Sequence, residues 1–354
     1  MTVEPFPGVV TSDDPQFNAL WQVLWQTDSL QNPLYQPLHQ IYSQEYVTSS
    51  IFENRSAIFE NRSAIFLHGD QPAFGILMSL SIEGERRELT CYGRPILLVE
   101  NRDLDTLTRK KVFKRLKRWL ASMVQESGVT LIYFRDYLEQ SELSFFSRLL
   151  LDWGGRATPH FVQMTDLTIG QEGLWRGVSK GCRWGINWGL KHIQVRTLDQ
   201  HNVQAIDMEA FRLLHLDAAG RETRSQRTWD LQYEMVMAGE AFMIFGSVDQ
   251  ELVSAAHFSI SPRHCFYGVG ASRRSLFDKP IAHVILWEAI LHASRLGCQK
   301  FEIGEQLFPK QNAVAPSKKE MDICNFRRWF GGVCATQLDV RWQGDPLALE
   351  NGES

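Results

Sequence analysis

Ala241-Phe242-Met243-Ile244-Phe245-Gly246-Ser247-Val248 opens the stretch that decides the fold. A turn follows at Asp249-Gln250-Glu251, then an apolar run from Leu252 to Ile260. After Ser261-Pro262-Arg263 comes a third run, Cys265 to Ala271. Runs of this length, rich in Phe, Val and Ile and bounded by turn residues, predict β-strands. From Pro280, a favoured first-turn residue, Ile281, Val284, Ile285, Trp287 and Leu291 give a helix its apolar positions. Gly297 ends that helix, and Lys300-Phe301-Glu302-Ile303 forms a further strand. The order is strand, strand, strand, helix, strand.

The same order occurs earlier in the chain. The run Ala64 to Leu67 leads through His68-Gly69-Asp70-Gln71-Pro72 to a strand from Ala73 to Ile82. Glu83-Gly84 turns into a strand from Glu88 to Tyr92, followed by Gly93-Arg94-Pro95. A helix over residues 105–127 buries Val112, Phe113, Leu116, Trp119, Leu120 and Met123, and Gly128 stops it. Val129 to Phe134 is its last strand. Both copies share Asp-Gln in the first turn, at Asp70-Gln71 and Asp249-Gln250. Between the copies, Thr165-Asp166-Leu167-Thr168 precedes a helix that includes Leu174-Trp175, Arg183, Ile186 and Gly189, and a strand runs from Ile193 to Thr197.

A second repeat is exact in letters. Ile51-Phe52-Glu53-Asn54-Arg55-Ser56-Ala57 is followed at once by the same seven residues, Ile58 to Ala64. Two copies are too few for a coiled coil. The repeat reads as a recent duplication tolerated at a strand entrance or loop.

The chain has 354 residues, 44% hydrophobic and 22% charged, which suits two soluble domains of ordinary size. The net charge of −4 argues against a binder of polyanions over its whole surface, DNA included. No run approaches the roughly 18 apolar residues of a membrane span. The first 29 residues carry Glu4, Asp13 and Asp14 but no Lys or Arg, so a cytoplasmic protein with at most peripheral membrane contact is expected. None of the six cysteines lies in a CxxC pair or a zinc-type Cys/His cluster; reduced thiols and no metal site are expected.

With these motifs in place, the sequence resembles the FemABX family, whose members carry two GNAT-like (acetyltransferase-type) domains. The residues that carry the resemblance are Asp166-Leu167, Leu174-Trp175, Arg183, Ile186 and Gly189, then Phe266-Tyr267, Lys279-Pro280, Gly297 and Phe301-Glu302-Ile303-Gly304. The segment Asn325-Phe326-Arg327-Arg328-Trp329-Phe330-Gly331-Gly332 closes the pattern. Arg327 stands where the family usually has Lys, and the second domain lacks the long helical hairpin with which some members handle tRNA. The resemblance implies an α/β (α+β) fold of two tandem GNAT-like domains, each a mixed sheet flanked by helices. Residues 1–155 and 156–345 are expected to form them, with 346–354 a disordered tail. It implies an acyl- or aminoacyltransferase acting on an amine of a cell-envelope precursor, small or lipid-linked. Acyl-CoA or aminoacyl-tRNA would be the donor, with no permanently bound cofactor. Two other readings stand beside it: an acetyl-CoA-dependent N-acetyltransferase acting on an amino sugar, and a catalytically silent scaffold of a polysaccharide assembly system.

Acyl transfer to an amine needs a base for the amine's proton and donors for the developing oxyanion and leaving group. His257, among apolar neighbours on its strand, is a candidate base. Tyr267 is a candidate proton donor, and Glu305, past the end of the last strand, a candidate carboxylate. The loop Ala271 to Pro280 stands where a GNAT core holds phosphates. It offers Arg273 and Arg274 but no glycines, and a backbone without glycine wraps a pyrophosphate less closely. Arg221 and Arg224 beside Gly220, together with Arg327, suit an anionic acceptor. The helix over 105–127 bears Arg109, Lys110, Lys111, Lys114, Arg115, Lys117 and Arg118, a cationic stripe that reads first as a solvated face.

Overall fold

The computed structural model describes residues 6–49, 58–138, 142–311 and 314–346. The first heptapeptide copy, and 347–354 of the expected tail, lie outside them. In chain order the elements are β1 (Val9–Thr11), α1 (Phe17–Gln26), α2 (Pro37–Ser49), β2 (Ile58–Asn61), β3 (Ala64–His68), β4 (Gln71–Leu77), β5 (Ser79–Glu83) and β6 (Arg86–Thr90). Next come β7 (Leu97–Glu100), α3 (Thr106–Ser127), β8 (Leu131–Asp136), α4 (Phe145–Asp152), β9 (Arg156–Asp166), α5 (Gly170–Gly177), α6 (Lys180–His192) and β10 (Gln194–Leu198). The rest are α7 (Ala205–Ala219), α8 (Gln226–Met237), β11 (Ala241–Val248), β12 (Glu251–Ile260), β13 (His264–Ser272), α9 (Ile281–Arg295), β14 (Lys300–Gln306), α10 (Lys318–Arg328) and β15 (Val333–Gln343).

The chain forms two compact units. Unit 1 comprises Met1–Ser29, Asn54–His160 and Thr336–Ser354; unit 2 comprises Leu30–Glu53 and Phe161–Ala335. Where the sequence suggests one division after residue 155, the units part at 160/161. An early segment also joins unit 2, and the chain's end returns to unit 1.

In unit 1 the strands run β15-β8-β6-β5-β2, with β6 parallel to β8 through Glu88↔Leu131 and Leu89↔Ile132. A smaller antiparallel sheet, β1-β3-β4-β7, completes it. In unit 2 the order is β10-β11-β12-β13-β14-β9, and only β13 and β14 are parallel. The doubled pattern is thus a doubled topology. The set β5, β6, α3, β8 matches β12, β13, α9, β14, and each set has one parallel pair bridged by a helix. Unit 2 takes its strand beside β14 from β9, and unit 1 takes its strand beside β8 from β15.

The helices follow their sequence signals. Asp105 caps α3 by accepting from the Leu107 and Thr108 amides, and Gly128 at φ +63° ends it. Val112, Leu116, Trp119, Leu120 and Val124 bury its inner face in the core of unit 1. Unit 2 has two cores. One packs α9 and α6 on one face of the sheet; the other packs α7 and α8 on the opposite face. The Asp249-Gln250 turn holds both residues at positive φ (49° and 68°), the conformation that two-residue hairpins favour.

Three readings need correction. The run Ala73 to Ile82 is two strands broken at Met78: Leu77 pairs with Leu97 in the small sheet, whereas Ser79 pairs with Thr90 in the larger one. The four-residue strand β7 follows Pro95, where the sequence reading places no element before the helix. The helix before β10 is two, because Ser179 leaves the helical path and caps α6 on the Cys182 amide. The second heptapeptide copy supplies β2, paired from Ile58↔Ile82 to Asn61↔Ser79. Among the described residues, no helix is long and apolar enough to cross a membrane.

Candidate functional site

The ladder between β13 and β14 is short. It runs His264↔Lys300, Cys265↔Phe301 and Phe266↔Glu302, although β13 continues to Ser272 and β14 to Gln306. Irregularities in both strands accompany the parting. On β13, His257 faces Val269 while Phe258 faces Tyr267, so Gly268 is the extra residue of a bulge. On β14, the register against β9 slips between Glu302 and Gly304, and Gly304 sits at φ +130°, a conformation for which glycine is suited. Beyond Phe266 the edge of β13 is open to an extended ligand, whose amide could add to it as a strand would.

On the α9 face of this gap lies a cavity of about 100 Å³, lined among others by Ala256, Phe258, Tyr267, Gly270, Ala282 and Phe326. Alanine and glycine leave the room; larger side chains would close it. The Tyr267 ring stacks on Phe258, centroids 5.2 Å apart. Its hydroxyl lies over Gly270, where a Cβ would overlap it. Burial raises the Tyr267 pKa, and the nearby Arg327 guanidinium only partly opposes this. The phenol therefore keeps its proton at neutral pH. Arg327 reaches over from α10, whose start is fixed by a capping box of Ser317 and Glu320. Its Nη1 donates to the Glu305 carbonyl at 2.6 Å, and its guanidinium lies against Gly304, 2.8 Å from where a Cβ would stand.

Of the three candidates for catalysis, His257 lies apart from Tyr267, on the opposite face of the sheet. Strand alternation sends Ala256, Phe258, Cys265 and Tyr267 to the α9 core and Ala255, Val269 and Ala271 to the α7/α8 core. His257 pairs with Val269 and so shares the α7/α8 side. It is 1% exposed. Burial pushes its pKa down to about 3, with Arg224 adding to the effect, while the Gln232 backbone opposes it. Tyr267 lines the cavity. Glu305 is exposed at the end of β14, its carbonyl held by Arg327. A buried pair that the strand pattern does not single out lies near the base of the gap, with His264 Nε2 3.7 Å from Glu302. Burial, aided by Lys300, lowers the His264 pKa to about 3.

The arginines divide similarly. Arg273 donates to Glu251 at 2.8 Å and to the Leu252 carbonyl, and Arg274 donates to the Ala218 carbonyl at 2.6 Å. Both therefore tie the β13–α9 loop to its neighbours. Arg221 is exposed on a pocket of about 140 Å³ that Arg224, His215 and Trp229 also line. Arg224, expected to meet an anionic acceptor, is 6% exposed. It bonds the Tyr42 hydroxyl at 2.9 Å and lies 4.3 Å over Trp229, because α2 packs against α8. Gly268 and Gly270 are not among the site residues expected from the sequence. Their signal is the Gly-Val-Gly run inside a strand, which marks a bulge or a close approach.

No protein-family model matches the sequence, and no curated protein does. Solved structures do. The chain is similar to FemX, with a TM-score of 0.65 at 10% identity, covering 92% of this chain and 96% of that one. It is also similar to the C-terminal domain of the Agrobacterium fabrum protein described as a lysylphosphatidylglycerol synthetase. There the TM-score is 0.59 at 12% identity, over 94% and 95% of the two chains. L-PGS from Bacillus licheniformis follows, with a TM-score of 0.55 at 12% identity, over 92% and 91%. The chain has the fold of these structures.

Proposed function

We propose that the chain transfers an acyl or aminoacyl group from an activated donor at the β13/β14 gap to an amine of a cell-envelope precursor in the cytoplasm. The observation that carries this reading is the parted strand pair with Tyr267 and Arg327 beside it. The donor's carbonyl lies at the gap. The acceptor amine attacks it; a carbon–nitrogen bond forms as the bond to the donor's sulfur or oxygen breaks. The amine's proton passes to Glu305, directly or through water, and the Tyr267 phenol protonates the leaving thiolate or alkoxide. Arg327 holds the Glu305 backbone and stabilises charge near Gly304.

The envelope acceptor comes from the resemblance to FemABX enzymes and from a structural neighbour described as a lysylphosphatidylglycerol synthetase. A thioester donor on coenzyme A is the less favoured of the two. The β13–α9 loop lacks glycines, and Arg273 and Arg274 already bond within the protein. The test offers both donors to the intact protein with amine-bearing envelope precursors. Consumption of aminoacyl ester without thiol release is expected; thiol release with an amino sugar as acceptor would move the reading to an N-acetyltransferase.

A further inference from the structure

We propose that the outward face of α6 docks unit 2 on a membrane surface that carries anionic lipids. This docking is separate from the transfer chemistry at the β13/β14 gap and is tested without turnover.

One stripe of α6 belongs to the fold. Cys182, Gly185, Ile186 and Gly189 are buried. The two glycines let the helix lie close on α9: a Cβ at Gly185 would stand 2.8 Å from the His283 ring, and one at Gly189 2.6 Å from Val284. Ser179 caps the start of the helix on the Cys182 amide. These contacts fix α6 to the core of unit 2 without help from its other face.

That other face has a different composition. At 3.6 residues per turn, Lys180, Trp184, Trp188 and Lys191 fall within about 80° of arc, opposite the buried stripe. Trp184 is 65% exposed, although tryptophan is on average well buried. Trp188, one turn on, is half-buried, its ring against His192 with centroids 4.7 Å apart. Lys180 and Lys191, both exposed, bracket the two rings. The helix has no Asp or Glu; with Arg183 it carries +3 in a chain whose net charge is −4. The Ser179 amide donates to the Trp329 carbonyl at 2.9 Å, which brings the exposed Arg328 and Trp329 beside the start of α6 and extends the same composition. The four outward residues are not those that carry the family resemblance; of those, Ile186 and Gly189 face inward.

Indole rings between cations, on one face of a rigidly held helix, suit a membrane interface. The rings lie among headgroups, with their N–H groups free to donate, and the ammonium groups meet lipid phosphates. Charge complementarity names the surface as an anionic one. The cationic stripe of α3 lacks the second ingredient: its two rings, Phe113 and Trp119, pack into the core of unit 1. It therefore remains a solvated face.

The test is co-sedimentation of the full chain with vesicles of phosphatidylcholine alone and of equal parts phosphatidylcholine and phosphatidylglycerol. Binding to the anionic vesicles is expected, weaker on the neutral ones and reduced by added salt. Trp184→Ala should weaken it at least about tenfold through lost apolar contact. Lys180→Glu should weaken it at least about fivefold, the effect of one surface cation. Both residues are exposed, so the variants should melt as the parent does. Arg118→Glu makes a like charge change on α3 and should bind as the parent does. The proposal is overturned if the chain stays off anionic vesicles, if it binds neutral ones equally well, if Trp184→Ala or Lys180→Glu binds normally, or if Arg118→Glu loses as much affinity as they do. A chain that ignores vesicles but binds single-stranded RNA through Trp184 would assign the face to nucleic acid and overturns it too.

Discussion

Arg224 bonds Tyr42 across 182 residues of chain while its guanidinium lies over Trp229. A desolvated cation–π contact is worth about 2 kcal/mol, and a hydrogen bond to a charged group about 1.5–3 kcal/mol. Arg224→Ala should therefore lower the stability of unit 2 by about 3.5–5 kcal/mol in equilibrium denaturation, and Arg224→Lys should recover little of it. A loss below about 1 kcal/mol would mean that the aromatic cage does not hold α2. His257 gives a pH signature. Its folded pKa, near 3, lies below its ordinary 6.5. Between those values the unfolded ring binds a proton that the folded ring refuses, so stability is full above 6.5 and falls as pH drops. The slope approaches about 1.4 kcal/mol per pH unit for each such histidine. His264 adds to the slope in the same sense. Denaturation midpoints from pH 7.5 to 5 should fall more steeply for the parent than for His257→Gln; equal slopes would place a charged His257 in the folded protein.

At the scale of elements, β14 turns on Gly304. An alanine there meets an unfavourable φ, costing about 1–3 kcal/mol, and displaces the Arg327 guanidinium. Gly304→Ala should lose both stability and turnover. Gly297→Ala is the control: at φ +87°, with nothing near its Cβ position, it should lose stability alone. Turnover that fell equally in both would detach the bend of β14 from the chemistry. The strands and helices flanking this bend are legible in the sequence because their signals are local: alternation, helical spacing, Pro280 and Gly297. The splay is less so. It needs a bulge on one strand and a slip on another, and only the Gly268-Val269-Gly270 run hints at either. The break at Met78 is illegible for a related reason. Ser79, Leu80, Ser81 and Ile82 continue the strand-like pattern, and only their partners on β6 and β2 tell them from β4.

For the whole molecule, the doubled topology was readable because each copy repeats the same turns and stops. The assignment of β9 and β15 was not, since a strand's own residues do not say which distant sheet edge it completes. The same limit hid the burial of Arg224 and of His257, each set by elements far away in the chain. Tyr267 lies on the part of β13 that β14 leaves unpaired, and Arg327 reaches the end of β14. The central claim is that group transfer occurs at this edge. Its most direct test is mass spectrometry of an amine-bearing envelope precursor after incubation with the protein and an activated acyl or aminoacyl donor. The account predicts a gain of one acyl or aminoacyl mass, slowed about a hundredfold by Tyr267→Phe. A precursor unchanged with either class of donor, or modified equally fast by Tyr267→Phe, would contradict it.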